Sequence, residues 1–127
     1  MQKDKEKFKS EFKARIYRWA LQIIKFIDCL PRDWSCRIIG QQLLRSGTSV
    51  GANYVEAQAA SSKKDFVNYL QHALKSANES KFWIAVLRDT QKANQTECNE
   101  LLKELDEISK ILGSSILTVK GKKSLNF

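Results

Sequence analysis

The sequence predicts an all-α protein, an antiparallel up-down-up-down four-helix bundle in which residues 1–127 form a single domain. Apolar side chains recur at spacings of three and four residues through most of the chain, as on the inner face of a helix. One proline and five glycines leave little turn chemistry for an all-β fold. The length of 127 residues is typical of one domain that closes a core without disulfides or metals.

The first helix is predicted from about residue 6 to residue 30. Pro31 ends it, because proline disfavours helical geometry in the preceding residue. Its apolar stripe consists of Phe8, Phe12, Ile16, Trp19, Ile23, Ile27 and Leu30. Tyr17, Leu21 and Ile24 lie off that stripe, and an exposed apolar strip usually marks an interface. Helix one therefore predicts that the chain forms a homo-oligomer.

The second helix is predicted over residues 34–60, with Asp33 as its cap. Its large apolar residues are Ile38, Ile39, Leu43 and Leu44. Small residues follow over positions 46–53, and an interior glycine costs about 0.5–1 kcal/mol relative to alanine. Gly47 and Gly51 therefore indicate a close backbone approach, either to another helix of the bundle or in a groove for a subunit or ligand.

The third helix is predicted over residues 62–89, capped by Ser62 or the serine before it. Its inner stripe is Phe66, Leu70, Ala73, Ala77, Ile84 and Leu87. The fourth is predicted over residues 96–119, with Thr96 as its cap and with Leu101, Leu105, Ile108, Leu112 and Val119 in the core. Residues 120–127 lack helical periodicity and predict a tail outside the helix.

The net charge of +8 makes nucleic acid a candidate partner, because clustered cations release counterions from phosphates. Residues 1–25 carry eight basic and three acidic groups, whereas residues 96–119 carry two basic and five acidic groups. We expect the acidic fourth helix to neutralise part of the basic first one. The candidate nucleic-acid-binding residues are Arg15, Arg18, Lys25, Lys63, Lys64, Lys120, Lys122 and Lys123.

We expect these basic clusters to lie apart, with the start of helix three at one pole and the tail of helix four at the other. Symmetric association would then repeat each cluster around a ring and multiply weak phosphate contacts. The alternative interpretation is a surface that is charged only for solubility.

A polar line on helices two and three is a second candidate site. It consists of Arg45, Ser49, Asn53 and Glu56 on one helix and Tyr69, His72, Ser76, Glu79 and Trp83 on the other. If the two faces meet, Arg45 or His72 would pair with a carboxylate and fix the helix register. If they do not meet, Arg45, Asn53, Glu56, His72 and Glu79 form a solvated face or a docking face for a protein partner.

Metal and catalytic sites are not predicted. Di-iron bundles use Glu-x-x-His pairs, and His72, the single histidine, has no glutamate three residues before it. Cys29, Cys36 and Cys98 lack C-x-x-C spacing and are typical of buried apolar side chains, so neither zinc nor a Cys–His nucleophile is supported. No phosphate-cradling glycine loop occurs. We expect no enzyme activity, no cofactor and no small-molecule substrate.

The most apolar stretch, Ile16 to Leu30, is interrupted by charged residues and falls short of what a membrane span needs. The first residues are charged and contain no apolar segment typical of a secretory signal. We therefore expect a cytoplasmic protein with no membrane partner.

Three runs of the sequence resemble a known family. Residues 45–57 read R-S-G-T-S-V-G-A-N-Y-V-E-A, residues 62–66 read S-K-K-D-F, and residues 110–122 read KILGSSILTVKGK. These runs are similar to the bacterial four-helix-bundle family encoded in intervening sequences of 23S ribosomal RNA genes. The residues of this sequence that match positions of the family's motifs are Arg45, Asn53, Glu56, Ala57, Asp65 and Phe66.

The resemblance implies an antiparallel four-helix protomer and covers nearly the whole chain. More distant relatives, the accessory variability proteins of diversity-generating retroelements, form pentamers and bind a reverse transcriptase and nucleic acid. By that resemblance the expected partners are further copies of the chain, as in a pentamer, and RNA or a reverse-transcriptase-like protein. The family itself has no established activity.

The function predicted from these features is that of a non-catalytic oligomeric binding module that contacts RNA, or a protein that handles RNA, through basic surfaces. The alternative is a protein–protein scaffold with no nucleic-acid role, docking through the polar line.

Overall fold

Four α-helices make up the fold of this chain. The computed structural model describes residues 2–125, with side chains as far as residue 121. The helices are α1 (Gln2–Asp28), α2 (Trp34–Gln58), α3 (Lys63–Asp89) and α4 (Gln95–Leu125). No strand occurs between residues 2 and 125, and each helix packs on its neighbours in sequence, so the predicted four-helix bundle is confirmed.

The predicted caps of α2 and α3 are confirmed. Asp33 accepts a hydrogen bond from the backbone N–H of Cys36 at 2.8 Å, and Ser62 accepts from the N–H of Asp65 at 3.1 Å. Each bond satisfies one N–H that has no partner within the first turn of its helix.

The cap of α4 is not Thr96. Asn94 accepts from the N–H of Glu97 at 2.9 Å, and the helix begins at Gln95. Asparagine caps at least as well as threonine, and it comes first in the chain.

The predicted non-helical tail is wrong for residues 120–125, because α4 continues to Leu125. Apolar periodicity ends near Val119, but nothing after it breaks the helix. Lysine and leucine favour helix, and extending an existing helix needs no new nucleus. Residues 126–127 lie outside the described residues.

The ends of α1 and α2 also differ from the predicted bounds. The helix α1 starts at Gln2 instead of residue 6, because its lysines and glutamates favour helix despite the lack of an apolar stripe. It ends at Asp28, where the N–H of Leu30 bonds to the carbonyl of Ile27 at 3.1 Å in a tighter turn before Pro31. The helix α2 ends at Gln58, two residues early.

The core is centred on Trp19, whose side chain is 1% exposed and whose indole N–H donates to the carbonyl of Leu101 at 3.1 Å. The inner stripe of α2 consists of Cys36, Gly40, Leu43, Gly47, Val50, Tyr54 and Ala57. Small residues therefore fill much of that stripe. Ile38 and Leu44 lie on the outer face of α2, and Phe8, which was predicted in the apolar stripe of α1, is also exposed.

The small residues of α2 permit close packing on both sides. A Cβ atom at Gly47 would lie 3.4 Å from Cγ2 of Ile23, and one at Gly51 would lie 3.2 Å from Cγ2 of Ile16. On the other side, the hydroxyls of Ser46 and Ser80 are hydrogen-bonded at 2.8 Å in the interior. The close approach predicted for Gly47 and Gly51 is thus packing within the bundle, and Gly51 also lines a groove between α1 and α2.

The ends of the helices meet at two poles. The loops 29–33 and 90–94 lie at the same pole, where Lys92 and Asp33 form an ion pair of 2.8 Å. The other pole therefore gathers the starts of α1 and α3 and the ends of α2 and α4. The expectation that helix three starts at one pole and helix four ends at the other is wrong, because in this topology odd helices begin where even helices end.

Replacing Gly47 with leucine tests the packing of α2 on α1, with Gly113→Leu as the matched control. At both sites the change from glycine to leucine raises the helix propensity by the same amount. A side chain at position 113, however, would extend into open space. We expect Gly47→Leu to lower the free energy of unfolding by about 1–3 kcal/mol. Gly113→Leu should raise it by about 0.5–1 kcal/mol. Urea denaturation measures both, and equal effects would contradict the packing.

Candidate nucleic-acid interface

Lysines are concentrated at the pole where α1 and α3 begin. This pole, here called the basic pole, comprises residues 2–9, 54–66 and 116–125, which carry nine lysines against four acidic residues. The opposite pole, residues 24–38 and 84–100, carries five basic and five acidic residues. Most of the net positive charge of the chain, five of the eight charges, is therefore gathered at one end of the bundle.

The described lysine side chains of the basic pole are exposed, and they come from three helices: Lys3, Lys5, Lys7, Lys9, Lys63, Lys64 and Lys120. Lys7 pairs with Glu11 at 3.9 Å, but both side chains are well exposed, so solvent screens the pair. Lys122 and Lys123 lie in the last turns of α4, and their side chains are outside the described part.

Helix dipoles contribute little to the field at this pole. Two helix N-termini, which carry partial positive charge, alternate there with two C-termini, which carry partial negative charge. The lysine side chains therefore set the potential.

Two grooves open at the basic pole. One, of about 260 Å³, runs between α3 and α4 and is lined by Lys63, Lys64, Asn68 and Lys120 among others. The second, of about 300 Å³, is lined by residues of all four helices, including Phe8, Tyr54, Phe66 and Ser115. Three of the predicted nucleic-acid-binding residues, Lys63, Lys64 and Lys120, thus share one groove.

Arg15 has a partner within the chain. Its guanidinium donates to Glu104 at 2.6 and 2.7 Å, and it lies 3.2 Å from Glu107. The hydrogen bond to Glu104 raises the pKa of Arg15 above its ordinary value, so the ion pair persists across the physiological range. The expected neutralisation of helix one by helix four is present at this position, and Arg15 contributes little charge to a phosphate surface.

Arg18 and Lys25 lie in a cleft of about 390 Å³ between α1 and α4. The same cleft is lined by Glu97, Glu100 and Glu104. These two predicted cations therefore face carboxylates, away from the basic pole, and the prediction that they bind nucleic acid stays a prediction.

The polar lines of α2 and α3 meet at their shared edge. Arg45 forms an ion pair with Glu79, and Glu79 also accepts a hydrogen bond from the indole N–H of Trp83 at 2.9 Å. That bond and the charge of Arg45 hold the pKa of Glu79 below its ordinary value. Of the two alternatives that the sequence left open, the structure therefore shows the one in which the faces meet and Arg45 pairs with a carboxylate.

The other members of the polar line do not converge. Asn53 donates to the carbonyl of Ser49 at 2.9 Å within its own helix. Glu56 and His72 are exposed. A docking role for Asn53, Glu56 and His72 stays a prediction.

Among the described residues, no group of three or more histidine, cysteine or acidic side chains could hold a metal ion. Burial raises the pKa of the Cys36 and Cys98 thiols, which makes thiolate formation harder, while Cys29 is exposed. No helix in the range 2–125 is long and apolar enough to cross a membrane.

Sequence reasoning missed Lys3, Lys5 and Lys9 as members of the candidate site. The signal that would have found them is the alternating direction of the helices, which brings the first turns of α1 beside those of α3. Phe8 was missed as a surface residue because it continues the core stripe in sequence but lies at the open end of the bundle.

Comparison with known proteins identifies a family and similar solved structures. A family model described as 23S rRNA-intervening sequence protein matches residues 9–114. Among solved structures, the chain is similar to the crystal structure of a protein with unknown function from the S23 ribosomal protein family of Bacteroides thetaiotaomicron. The two are 34% identical with a TM-score of 0.80, over 85% of this chain and 96% of the other. No curated protein matches the chain.

Substituting Glu79 tests whether the edge between α2 and α3 is structural. A carboxylate with a lowered pKa stabilises the fold above its unfolded pKa of about 4.3, and that stabilisation is lost as pH falls through the folded value. We expect Glu79→Gln to lower the melting temperature at pH 7, and the difference from wild type to close below about pH 4. Glu100→Gln, at an exposed site on α4, is the control. A pH-independent difference would exclude the ion pair as its cause.

Proposed function

The chain belongs to the 23S rRNA-intervening sequence protein family, and we propose that it is a cytoplasmic, non-catalytic module that binds nucleic acid through its basic pole. The observation that supports this role is the segregation of charge, with nine lysines against four acidic residues at one end of the bundle and a balanced opposite end. Clustered lysines bind a phosphate backbone by releasing its counterions.

The type of cation suits binding without sequence readout. Lysine presents a flexible point charge, whereas reading base edges relies mainly on bidentate arginine, asparagine or glutamine contacts. The exposed cations described at the basic pole are all lysines. We expect affinity that falls steeply with salt and changes little with base sequence.

Self-association through the α1–α2 face is the second part of the proposal. We define this face by four exposed residues: Tyr17, Leu21, Ile24 and Val55. The sequence predicted the exposure of the three that lie on α1. A groove of about 460 Å³ between these helices is lined mostly by apolar atoms, including those of Ala14, Ala20 and Ala52. The proposed occupant is a second copy of the chain, which would remove the exposed Tyr17 and its neighbours from water.

Oligomer formation would place several basic poles in one particle, so that weak phosphate contacts add along one strand. A ring of five, and a reverse-transcriptase-like partner, stay predictions based on the family resemblance. The alternative function is a protein scaffold. It is less well supported, because Arg45 and Glu79 of its proposed docking face are already paired with each other.

Size-exclusion chromatography with light scattering tests self-association. We expect wild type to have a mass that is a multiple of the 14.6 kDa chain, and the double variant Tyr17→Glu/Leu21→Glu to be monomeric. Leu117→Glu is the matched control, because Leu117 is 71% exposed but lies on α4. A monomeric wild type, or a double variant that keeps the full mass, would disprove an interface on this face.

Salt-dependent binding of a labelled oligonucleotide tests the basic pole. We expect Lys63→Gln/Lys64→Gln to weaken binding to any sequence and to reduce the slope of log K against log salt by about 1–2. The control, Lys75→Gln/Lys103→Gln, removes the same charge from exposed sites away from the pole and should leave the slope near that of wild type. Binding that is insensitive to salt would favour the scaffold role instead.

A further inference from the structure

The 300 Å³ groove at the basic pole has an aromatic lining and a charged rim. Phe8, Tyr54 and Phe66 come from three different helices, and Lys5 and Lys9 stand at the edge on α1. A flat apolar pocket beside flexible cations is the arrangement by which proteins hold a nucleobase next to its own phosphates.

Phe8 is the exposed end of an aromatic row. Its ring is stacked on Phe12 with a centroid distance of 6.1 Å and an interplanar angle of 19°. Phe12 packs edge-on against Tyr54 at 5.0 Å and 87°. Phe12 and Tyr54 are buried, whereas Phe8 is 51% exposed. The buried rings thus support the position of Phe8, which still presents ring surface to solvent.

Tyr54 provides an unused polar group beside the same groove. Its side chain is 5% exposed, and burial alone accounts for the rise in the pKa of its hydroxyl. No hydrogen-bond partner for that hydroxyl occurs among the described residues. No buried side-chain oxygen among the described residues lacks a partner, so the Tyr54 hydroxyl reaches solvent at the groove, where a bound ligand can form a hydrogen bond with it.

The residues at the rim of the groove suit a single-stranded nucleic acid. Lys5 and Lys9 are one turn apart on α1 and line the groove together with Phe8, so the phosphates next to a bound base would be within reach of these cations. Asp4, also on the rim, can accept a hydrogen bond from a base N–H.

We propose that this groove binds one unstacked base of a single-stranded nucleic acid, stacked on Phe8, while the lysines of the basic pole hold the flanking phosphates. The proposal rests on the proposed function and adds to it a preference for single strands. In a duplex the faces of the bases are covered by their neighbours, so only the backbone contacts remain.

Fluorescence anisotropy with three fluorescein-labelled probes of equal phosphate number tests this proposal. The probes are oligouridylate, the same length of abasic sugar-phosphate chain, and a short RNA duplex. We expect wild type to prefer oligouridylate over the other two by roughly tenfold. Phe8→Ala should remove that preference and leave binding of the abasic chain unchanged, whereas Phe8→Tyr should keep it. Oligothymidylate shows whether the preference extends to DNA.

Phe82→Ala is the matched control, because Phe82 is a 59% exposed phenylalanine on α3 outside the groove. Crosslinking of a 4-thiouridine oligomer, mapped to the peptides that contain Phe8 and Tyr54, gives a second readout that needs no variant. Equal affinity for the three probes, or a Phe8→Ala variant that retains the preference, would overturn the base site and leave the proposed function standing. If no probe binds at low salt, the proposed function fails as well.

Discussion

The small side chains in the middle of α2 determine how closely its two neighbours approach, and the shape of the bundle depends on that contact. Gly47 and Gly51 admit Trp19, Ile23 and Ile16 of α1 on one side. On the other side the Ser46 hydroxyl bonds to Ser80 of α3. The helix α2 therefore packs closely against both α1 and α3, whereas α1 and α4 meet at few positions.

That unequal packing explains where polar groups lie. Because α1 packs mainly on α2, its seam with α4 is open enough to hold the Arg15–Glu104 pair and the mixed-charge cleft around Arg18. Because α2 and α3 are close, Arg45 reaches Glu79 at their outer edge. The cations left over for a partner then include the lysines of the two chain ends and of the start of α3, which the antiparallel topology gathers at one pole. A module with this distribution of charge would place a nucleic acid across the end of the bundle.

The sequence left the pairing of Arg45 open, whereas it was sufficient for the fold class, the cap at Asp33, the exposed strip on α1 and the choice of Ser61 or Ser62 as the cap of α3. Each of these follows from local chemistry or from periodicity. Periodicity shows which face of a helix is apolar, but it does not show how far that face is covered. Phe8 continues the stripe of α1 and is nevertheless half exposed at the end of the bundle.

The inner stripe of α2 was not assigned from the sequence for a related reason. The large apolar residues of that helix, such as Ile38, do not mark its buried face, because glycine and serine occupy the closest contact. The main error concerned the poles. The direction of each helix follows from the short connections alone, and this rule, applied strictly, places the first turns of α1 at the same pole as Lys63 and Lys64.

The measurement that tests this account most directly is amide chemical-shift mapping of the ¹⁵N-labelled chain during titration with a short single-stranded oligonucleotide. The account predicts that the largest changes fall in residues 2–9, 54–66 and 116–121, with little change in loops 29–33 and 90–94. Changes concentrated at those two loops, or on the α1–α2 face, would contradict the assignment of the basic pole as the binding surface.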